Sequence, residues 1–185
     1  MKYDVIKEII QILNNGGVVI LPTDTVYGFF CRANNKQAVK KIYKIKGRDF
    51  KRPLQVFLPG AGSIARYAVL DKGKRGFIKK HLPGPYTIIL NLRATMKKRF
   101  VFLKAGTIGI RVVKIPFLKK ILRSTGPLAA TSANLSGGKT PVKFDDISWE
   151  LRSKAGICLI NDRIVKGTSS RVIDLTGKKP EILRG

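Results

Sequence analysis

Short apolar runs alternate with amphipathic segments along the whole chain, and this interleaving constrains the fold more than any other feature. Runs of four to seven residues bounded by glycine, proline or polar residues are typical of β-strands. We predict strands at residues 17–21, 54–58, 87–92, 107–113, 127–131, 157–160 and 171–175. Helical spacing of apolar residues predicts helices at 3–13, 36–46, 61–70, 73–81, 116–124 and 145–154. Because the two kinds of segment do not alternate strictly, we expect an α/β fold with a mixed sheet.

Size and composition indicate a globular protein. The chain has 185 residues, 44% of them hydrophobic, so we expect a single domain over residues 1–185 with one substantial core. No apolar run approaches the roughly 18 residues that cross a membrane, and the acidic N-terminal stretch lacks the apolar core of a secretory signal. Cys31 and Cys158 make no metal-ligand pattern. We expect a reduced, cytoplasmic protein with no tightly bound metal.

The charge of the chain is strongly positive. It has 37 Lys and Arg against 11 Asp and Glu, a net charge of +26. Between Asp71 and Asp145 there are 17 basic residues and no carboxylate. Such a field attracts the phosphates of nucleotides or nucleic acids. Lysine outnumbers arginine 24 to 13, so a lysine-rich genome is an alternative source of part of this charge.

Polar residues follow the first predicted strand abruptly, in the segment PTDTVYG at 22–28. In an extended chain Thr23 and Thr25 point the same way. Alone, this pattern fits a strand end with turn chemistry as well as it fits a binding site.

Cations cluster after the 36–46 helix, where Lys46, Arg48 and Arg52 could turn toward one anion. The helix dipole also favours lysine at a helix C-terminus, which is the simpler explanation for Lys46. In TIGIR at 107–111, an arginine lies among apolar residues, and it needs an anionic partner because an unpaired buried charge is unfavourable.

The segment 127–141, PLAATSANLSGGKTP, runs from a strand into hydroxyl, amide and glycine residues whose backbone N–H groups can approach a phosphate. Its Gly138-Lys139-Thr140 resembles the end of a Walker A loop, and residues 157–162 could supply a Walker B strand. The first Walker glycine would fall at Ala133, and Pro141 follows at once, so a P-loop NTPase is a weaker alternative.

Acid, histidine and nucleophile patterns give no further candidate. The single histidine, His81, ends a lysine-rich helix, where a structural or surface role is expected. The chemistry of this chain therefore falls to cations, hydroxyls and backbone amides.

Eight segments occur in the order known from one family: PTDTVYG, KGR, RPL, PGPYT, TIGIRV, ATSANLSG, GTSSRVID and ILRG. Over residues 16–184 the chain thus resembles the YrdC-type threonylcarbamoyl-AMP synthases, in their short, single-domain TsaC-like form without an extra C-terminal domain. The resemblance implies a twisted, open mixed sheet with flanking helices and a basic concave surface that holds the active site.

The resemblance also implies a reaction. L-threonine, bicarbonate and ATP, the latter with Mg²⁺, would give threonylcarbamoyl-adenylate and pyrophosphate, a nucleotidyl transfer that feeds t6A formation in tRNA through a downstream transfer complex. The threonine carbamate is already anionic, so it can attack the α-phosphorus without a general base. Catalysis then reduces to positioning and neutralisation of charge.

Matching by position implies individual roles. The threonine contacts would be Thr25, Arg111, Ala130 and Ser170. The ATP contacts would be Lys46, Arg48, Arg52, Thr107, Ser132, Asn134, Thr140 and Arg184, with Lys46 and Arg48 as the catalytic residues. Thr23 and Tyr27 would shape the pocket.

Three departures from the family pattern stand out. Phe57 replaces a histidine that is common near threonine in relatives, and Arg171 replaces a threonine. The GFFC segment at 28–31 replaces glycine-leucine-glycine, which we interpret as a packing change. A non-catalytic RNA- or ribosome-binding protein is the main alternative, although stacking motifs of the RNA-recognition kind are absent. That alternative predicts strong, salt-sensitive affinity for RNA, whereas for the synthase the basic stretch 72–144 predicts weak, sequence-independent tRNA binding that falls as the salt concentration rises.

Overall fold

The computed structural model describes residues 3–100, 102–103 and 106–185. The α-helices are α1 (Tyr3–Asn14), α2 (Lys36–Lys46), α3 (Lys72–His81), α4 (Pro116–Thr125) and α5 (Trp149–Arg152). The strands are β1 (Val19–Pro22), β2 (Tyr27–Arg32), β3 (Gln55–Phe57), β4 (Tyr86–Asn91), β5 (Thr107–Arg111), β6 (Leu128–Ser132), β7 (Ile157–Cys158), β8 (Arg171–Asp174) and β9 (Glu181–Arg184). Short 3₁₀ turns occupy Ala61–Arg66, Ala94–Met96, Phe144–Asp146 and Asp162–Ile164.

All nine strands belong to one sheet, in the order β7-β1-β2-β6-β3-β5-β4-β8-β9. The pairs β7–β1, β3–β5 and β4–β8 are parallel, and the other neighbouring pairs are antiparallel. The predicted mixed sheet with flanking helices is therefore confirmed. No helix among the described residues is long and apolar enough to cross a membrane.

Both faces of the sheet carry a hydrophobic core, because neighbouring residues of a strand point to opposite sides. On β1 and β2, Ile20 and Phe29 pack on the side covered by α2 and α3. Val19 and Phe30 pack on the other side, against α1 and α4. The GFFC segment thus fills both cores, in agreement with its interpretation as a packing change.

Asn35 and Gly47 set the two ends of α2, and the end at Gly47 positions Lys46 and Arg48. Oδ1 of Asn35 accepts a hydrogen bond from the Ala38 N–H at 2.9 Å, which caps the first turn. Gly47 then adopts φ 57°, a left-handed conformation that ends the helix. Lys46 is therefore the last helical residue, and Arg48 is the second residue after it.

Several element predictions differ from the structure. The expected helix at 61–70 is a 3₁₀ turn that ends at Arg66, and Gly62 within it disfavours an α-helix. The expected helix at 145–154 divides into a 3₁₀ turn and the short α5, and the expected strand at 157–160 shortens to Ile157–Cys158. Strands β2 and β9 were not predicted. The first is buried on both faces and the second is an exposed edge, so neither shows the alternation by which strands are recognised.

Candidate active site

A cavity of about 290 Å³ opens where the ends of several central elements meet. The end of α2, the end of β6 and its following loop, and the segment between β1 and β2 all contribute to its wall. It is lined by predicted site residues, which are Thr25, Lys46, Arg48, Arg52, Arg111, Ala130, Ser132, Asn134, Thr140, Ser170 and Arg184. Lys46, Arg48, Ser132 and Arg184, which lie far apart in the sequence, therefore meet at one cavity.

Thr107 is the predicted site residue that does not line this cavity. It begins β5, opposite Asn91, whereas Arg111 ends the same strand. Four residues of strand separate their Cα atoms by about 13 Å. Thr107 and Arg111 lie on the same face of β5, but this distance keeps their side chains apart. The cavity therefore gives no support to the predicted ATP contact of Thr107.

The segment between β1 and β2 is folded around the hydroxyl of Thr23. Its Oγ1 donates to the Val26 carbonyl at 2.7 Å and accepts from the N–H groups of Thr25 and Val26, both at 3.2 Å. Oγ1 of Thr25 lies 2.9 Å from Oγ1 of Thr23. Because the Thr23 proton is directed to Val26, Thr25 is the donor in this contact. Thr23 therefore builds the corner, and Thr25 faces the cavity.

Arg111 is the most constrained cation of the site, with only 3% of its surface exposed. Its Nη1 donates to Oγ1 of Thr25 at 2.9 Å, and its Nη2 donates to Oδ1 of Asp24 at 2.6 Å. The guanidinium lies 4.9 Å from the centre of the Phe57 ring, and its buried Nε has no hydrogen-bond partner among the described residues. Burial lowers the pKa of Arg111, an effect that Asp24 opposes.

Asp24 is a partner of a site residue that sequence reasoning missed. Its carboxylate forms an ion pair with Arg111, although it is not part of the cavity lining. The signal was available, since an arginine expected on a buried strand needed an anion. The resemblance implies that this anion is the substrate carboxylate, whereas the structure also places one within the chain.

Lys46 is buried, with 2% of its surface exposed, and its ammonium holds the loop after β6. Nζ donates to the Ser132 carbonyl at 2.6 Å, to the Asn134 carbonyl, and to Oδ1 of Asn134 at 3.2 Å. These three acceptors match the three donors of an ammonium group. A direct contact from Lys46 to the ATP phosphates, as expected from the family pattern, would have to displace one of them.

Opposing influences act on the charge of Lys46. Burial, followed by the charges of Arg48 and Arg52, lowers the pKa of Lys46 to about 7. The three oxygens around Nζ favour the charged form, because each accepts a hydrogen bond that is strengthened by the charge. We infer that the ammonium form is the one that organises the loop.

The loop after β6 is further fixed by its own side chains. Oγ of Ser132 donates to Oδ1 of Asn134 at 2.6 Å, and Nδ2 of Asn134 donates to the Gly138 carbonyl at 2.5 Å. The Ser136 N–H returns to the Lys46 carbonyl at 2.9 Å. Ser132 and Asn134 therefore lie at the cavity with their side chains already oriented.

Arg48 and Arg52 supply two further cations that line the cavity. Arg48 is anchored by Nε to the Arg52 carbonyl at 3.0 Å and by Nη2 to the Pro53 carbonyl at 3.2 Å. Burial lowers the pKa of Arg48, and the charge of Arg52 adds to this. Two positive groups so close together favour an anionic ligand.

Tyr27 connects the site to the loops behind it. Its hydroxyl donates to Oδ1 of Asp162 at 2.6 Å and accepts from the Asn161 N–H at 3.0 Å. The same Oδ1 accepts from the Phe144 N–H at 2.9 Å. Burial and the neighbouring Asp162 raise the pKa of Tyr27, so its hydroxyl keeps its proton. Tyr27 shapes the pocket by holding these loops.

The Walker-like segment does not form a P-loop. After Thr140 the chain turns through Pro141 into the 3₁₀ turn Phe144–Asp146, whereas a P-loop lysine is followed by a helix. Lys139 is exposed and lies outside the cavity lining. The carboxylate of the Walker B candidate, Asp162, is occupied by Tyr27 and Phe144. The P-loop alternative is therefore wrong.

His81 has the expected structural role. Its ring stacks on Phe77 at 4.0 Å between centroids and contacts Tyr86 edge-on at 5.0 Å. It does not line the cavity.

Comparison with known proteins identifies the family. Residues 11–185 match the Sua5/YciO/YrdC family model, which is described as telomere recombination. The putative threonylcarbamoyl-AMP synthase of Methanocaldococcus jannaschii is 36% identical over 152 residues, covering 80% of this chain and 71% of the relative. The threonylcarbamoyl-AMP synthase of Bacillus subtilis is 31% identical over 182 residues, covering 97% of this chain and 52% of the relative.

Solved structures agree with this assignment. P. abyssi Sua5 in complex with L-threonine superimposes with a TM-score of 0.90 at 26% identity, covering 100% of this chain and 54% of that one. E. coli YciO superimposes with a TM-score of 0.85 at 26% identity, covering 99% of this chain and 89% of that one. The chain thus spans little more than half of some relatives and most of others. On sequence and on structure, it belongs to the Sua5/YciO/YrdC family.

Proposed function

We propose that this chain is a threonylcarbamoyl-AMP synthase, a nucleotidyltransferase that converts L-threonine, bicarbonate and ATP into L-threonylcarbamoyladenylate and pyrophosphate. The observation that carries the proposal is the cavity itself, where residues far apart in sequence meet as the family pattern requires. Relatives that bear this activity in their names, and a relative solved with L-threonine, support it.

The amino-acid end of the cavity is proposed to lie at Thr25, Arg111, Ala130 and Ser170. Arg111 supplies a buried positive charge for the threonine carboxylate, with an Nε that lacks a partner within the described chain. Thr25 donates to Thr23 and accepts from Arg111, so one lone pair of its oxygen is left for a donor on the substrate.

The nucleotide end is proposed to lie at Arg48, Arg52, Ser132, Asn134, Thr140 and Arg184. Arg48 and Arg52 face the phosphates. Lys46 holds Oδ1 of Asn134, which in turn accepts from Oγ of Ser132, so both side chains are presented in fixed orientations. Lys46 remains a catalytic candidate. The contacts of Lys46 support a role in which it orders the loop after β6. To contact a phosphate, its ammonium would have to give up one of its three present acceptors and donate to a phosphate oxygen instead. Thr107 is retained as a proposed ATP contact from the family pattern alone.

The chemistry follows from these charges. A carbamate oxygen of N-carboxylated threonine attacks the α-phosphorus of ATP, and the bond from that phosphorus to the β-phosphate bridging oxygen breaks. The electron pair leaves with pyrophosphate. Negative charge grows on the leaving group, and the guanidinium groups of Arg48 and Arg52 are placed to neutralise it without a proton transfer.

The residues do not fit a protein-held magnesium site. The cavity lining contains hydroxyl, amide and cationic groups but no carboxylate, and the described residues contain no cluster of three or more metal-ligating side chains. Mg²⁺ is proposed to enter with ATP, bound by phosphate oxygens and water.

The wider setting is proposed on the same basis. The adenylate would serve t6A formation in the cytoplasm through a downstream transfer complex, and residues 1–185 would act as a single domain. The basic stretch 72–144 would give a positive concave face that binds tRNA weakly.

A pyrophosphate-release assay tests the proposal. Purified protein with ATP, Mg²⁺, L-threonine and bicarbonate should release pyrophosphate and form an adenylate of the expected mass. Omission of either threonine or bicarbonate should abolish release, and Arg48→Ala should suppress it with all substrates present. If the complete mixture yields no pyrophosphate while the protein binds RNA tightly, the non-catalytic RNA-binding alternative is correct.

A further inference from the structure

The hydroxyl of Ser170 lies at the cavity and is in contact with side chains of two strands, β4 and β9. Its Oγ is 2.8 Å from Oγ1 of Thr87 on β4. It also accepts a hydrogen bond from Nη2 of Arg184 on β9 at 3.2 Å. Arg184 also donates two hydrogen bonds to the Ser170 carbonyl, from Nε at 3.1 Å and from Nη2 at 2.8 Å. Ser170, which precedes β8, is therefore held from both sides while it lines the cavity.

The direction of the contact between the two hydroxyls follows from the position of Thr87. Thr87 is buried, with 3% of its surface exposed, and within the described chain Ser170 is the partner of its hydroxyl. Ser170 is equally buried, but it lines the cavity, where its proton can reach a ligand, whereas Thr87 does not line it. Because each buried hydroxyl proton needs an acceptor, we assign Thr87 as the donor to Ser170.

The methyl of Thr87 lies beside Gly109 on the neighbouring strand. A Cβ at position 109 would lie 3.3 Å from that methyl, so glycine there leaves room for it. A β-branched side chain has few preferred χ1 rotamers, which limits the directions available to the Thr87 hydroxyl.

The proton of Ser170 is thereby directed outward. Its oxygen accepts from Thr87 and from Arg184, which uses both lone pairs. The remaining O–H must point away from these two donors, and Ser170 faces the cavity. Arg111 and Arg184 both line this cavity, so the outward-pointing O–H of Ser170 shares it with two positive charges.

We propose that Thr87 is a positioning residue that fixes Ser170 as a hydrogen-bond donor to a carboxylate or carbamate oxygen of the amino-acid substrate. The proposal rests on the proposed synthase function. A phosphate oxygen of ATP is the other acceptor that this donor could serve, and the two ligands are separable by titration.

The test replaces Thr87 by valine, which keeps the shape and removes the donor. We expect the apparent KM for threonine to rise about three- to ten-fold with the KM for ATP unchanged, which is the range for one hydrogen bond. Thr87→Ser restores a hydroxyl and should recover most of the loss. Thr125→Val is the matched control, since Thr125 is a buried threonine of α4 that bonds Ile121 and lies outside the cavity. It should leave both KM values unchanged.

A double-mutant cycle shows whether Thr87 acts through Ser170. In a Ser170→Ala background, Thr87→Val should produce no further rise in the KM for threonine. A full additional rise, an unchanged KM in Thr87→Val alone, or a rise in the KM for ATP instead would each overturn the proposal. Calorimetric titration of threonine into wild type and Thr87→Val repeats the comparison without turnover. If wild type binds threonine but releases no pyrophosphate, the synthase function fails, and the binding difference still decides the role of Thr87.

Discussion

Nη2 of Arg111 donates to Oδ1 of Asp24 at 2.6 Å, so a buried cation of the site is paired with an anion two residues from the end of β1. The ion pair joins β5 to the β1–β2 segment, and Thr25 lies against the same guanidinium. A guanidinium held by two partners and an aromatic ring is pre-oriented before any substrate arrives.

Loss of the Asp24 carboxylate should destabilise the fold. Asp24→Ala leaves Arg111 buried without its counter-charge, and we expect the free energy of unfolding to fall by about 3 kcal/mol. Asp24→Asn keeps an acceptor oxygen for Arg111, so its free energy of unfolding should fall by less than that of Asp24→Ala. Urea denaturation of each variant measures the effect. In an Arg111→Met background Asp24→Ala should become nearly neutral, and an equal loss in both backgrounds would contradict the pairing.

Arg111 and Arg48 should serve different substrates. Arg111→Ala should weaken apparent threonine affinity by roughly 30- to 1000-fold, since a charge-assisted pair in a desolvated pocket contributes about 2–4 kcal/mol, while ATP still binds. Arg111→Lys should rescue poorly, because an ammonium cannot reproduce the planar fork. Arg48→Ala should instead damage ATP binding and turnover. Titration of each ligand against each folded variant makes the comparison, and equal loss of both ligands in Arg111→Ala would falsify this division.

Lys46 should matter far more than Lys139. Lys46→Ala removes three hydrogen bonds to the loop after β6, and we expect kcat/KM to fall by about two orders of magnitude or more. Lys139 is exposed and outside the cavity lining, so Lys139→Ala should stay within about three-fold of wild type. Steady-state pyrophosphate release from both variants ranks them, and the reverse order would refute the assignment of Lys46.

Tyr27 should stabilise the loops behind the site. Tyr27→Phe removes the hydrogen bonds to Asp162 and Asn161, at a cost of about 1–2 kcal/mol in the free energy of unfolding. Hydrogen exchange should speed up over residues 161–170. Tyr43→Phe is a matched control, because its hydroxyl bonds the Arg52 carbonyl and its loss should act on residues 48–53 instead. Identical exchange patterns in the two variants would argue against a local role for Tyr27.

Binding to tRNA should be electrostatic. We expect weak affinity without sequence preference that falls steeply between about 50 and 200 mM salt, because basic residues release counterions from the phosphates. Fluorescence anisotropy with an unmodified tRNA and an unrelated RNA of equal length measures both properties. Affinity that does not change over this salt range would exclude this mode of binding.

The sequence alone determined the fold class and most of the elements. Apolar periodicity is a local property, so α2, α4 and strands such as β4 and β5 were recognisable within a few residues of their bounds. The order of the landmark segments likewise indicated which distant residues would meet. Prediction of strands from the sequence failed where the apolar and polar residues do not alternate. This is the case in β2, which is buried on both faces, and in the exposed edge strand β9.

Only the tertiary structure decided how the polar groups pair. The sequence showed that Arg111 needed an anion, but the choice of Asp24 depends on the folding of the β1–β2 segment over β5. The sequence predicts Lys46 as a phosphate ligand, and only the structure shows that its ammonium contacts oxygens of Ser132 and Asn134, 86 and 88 residues away. Hydrogen bonds act over about 3 Å and in fixed directions, so their partners depend on the relative placement of whole strands. The apolar periodicity within one segment does not predict where that segment lies relative to the others, so the sequence alone could not give these pairings.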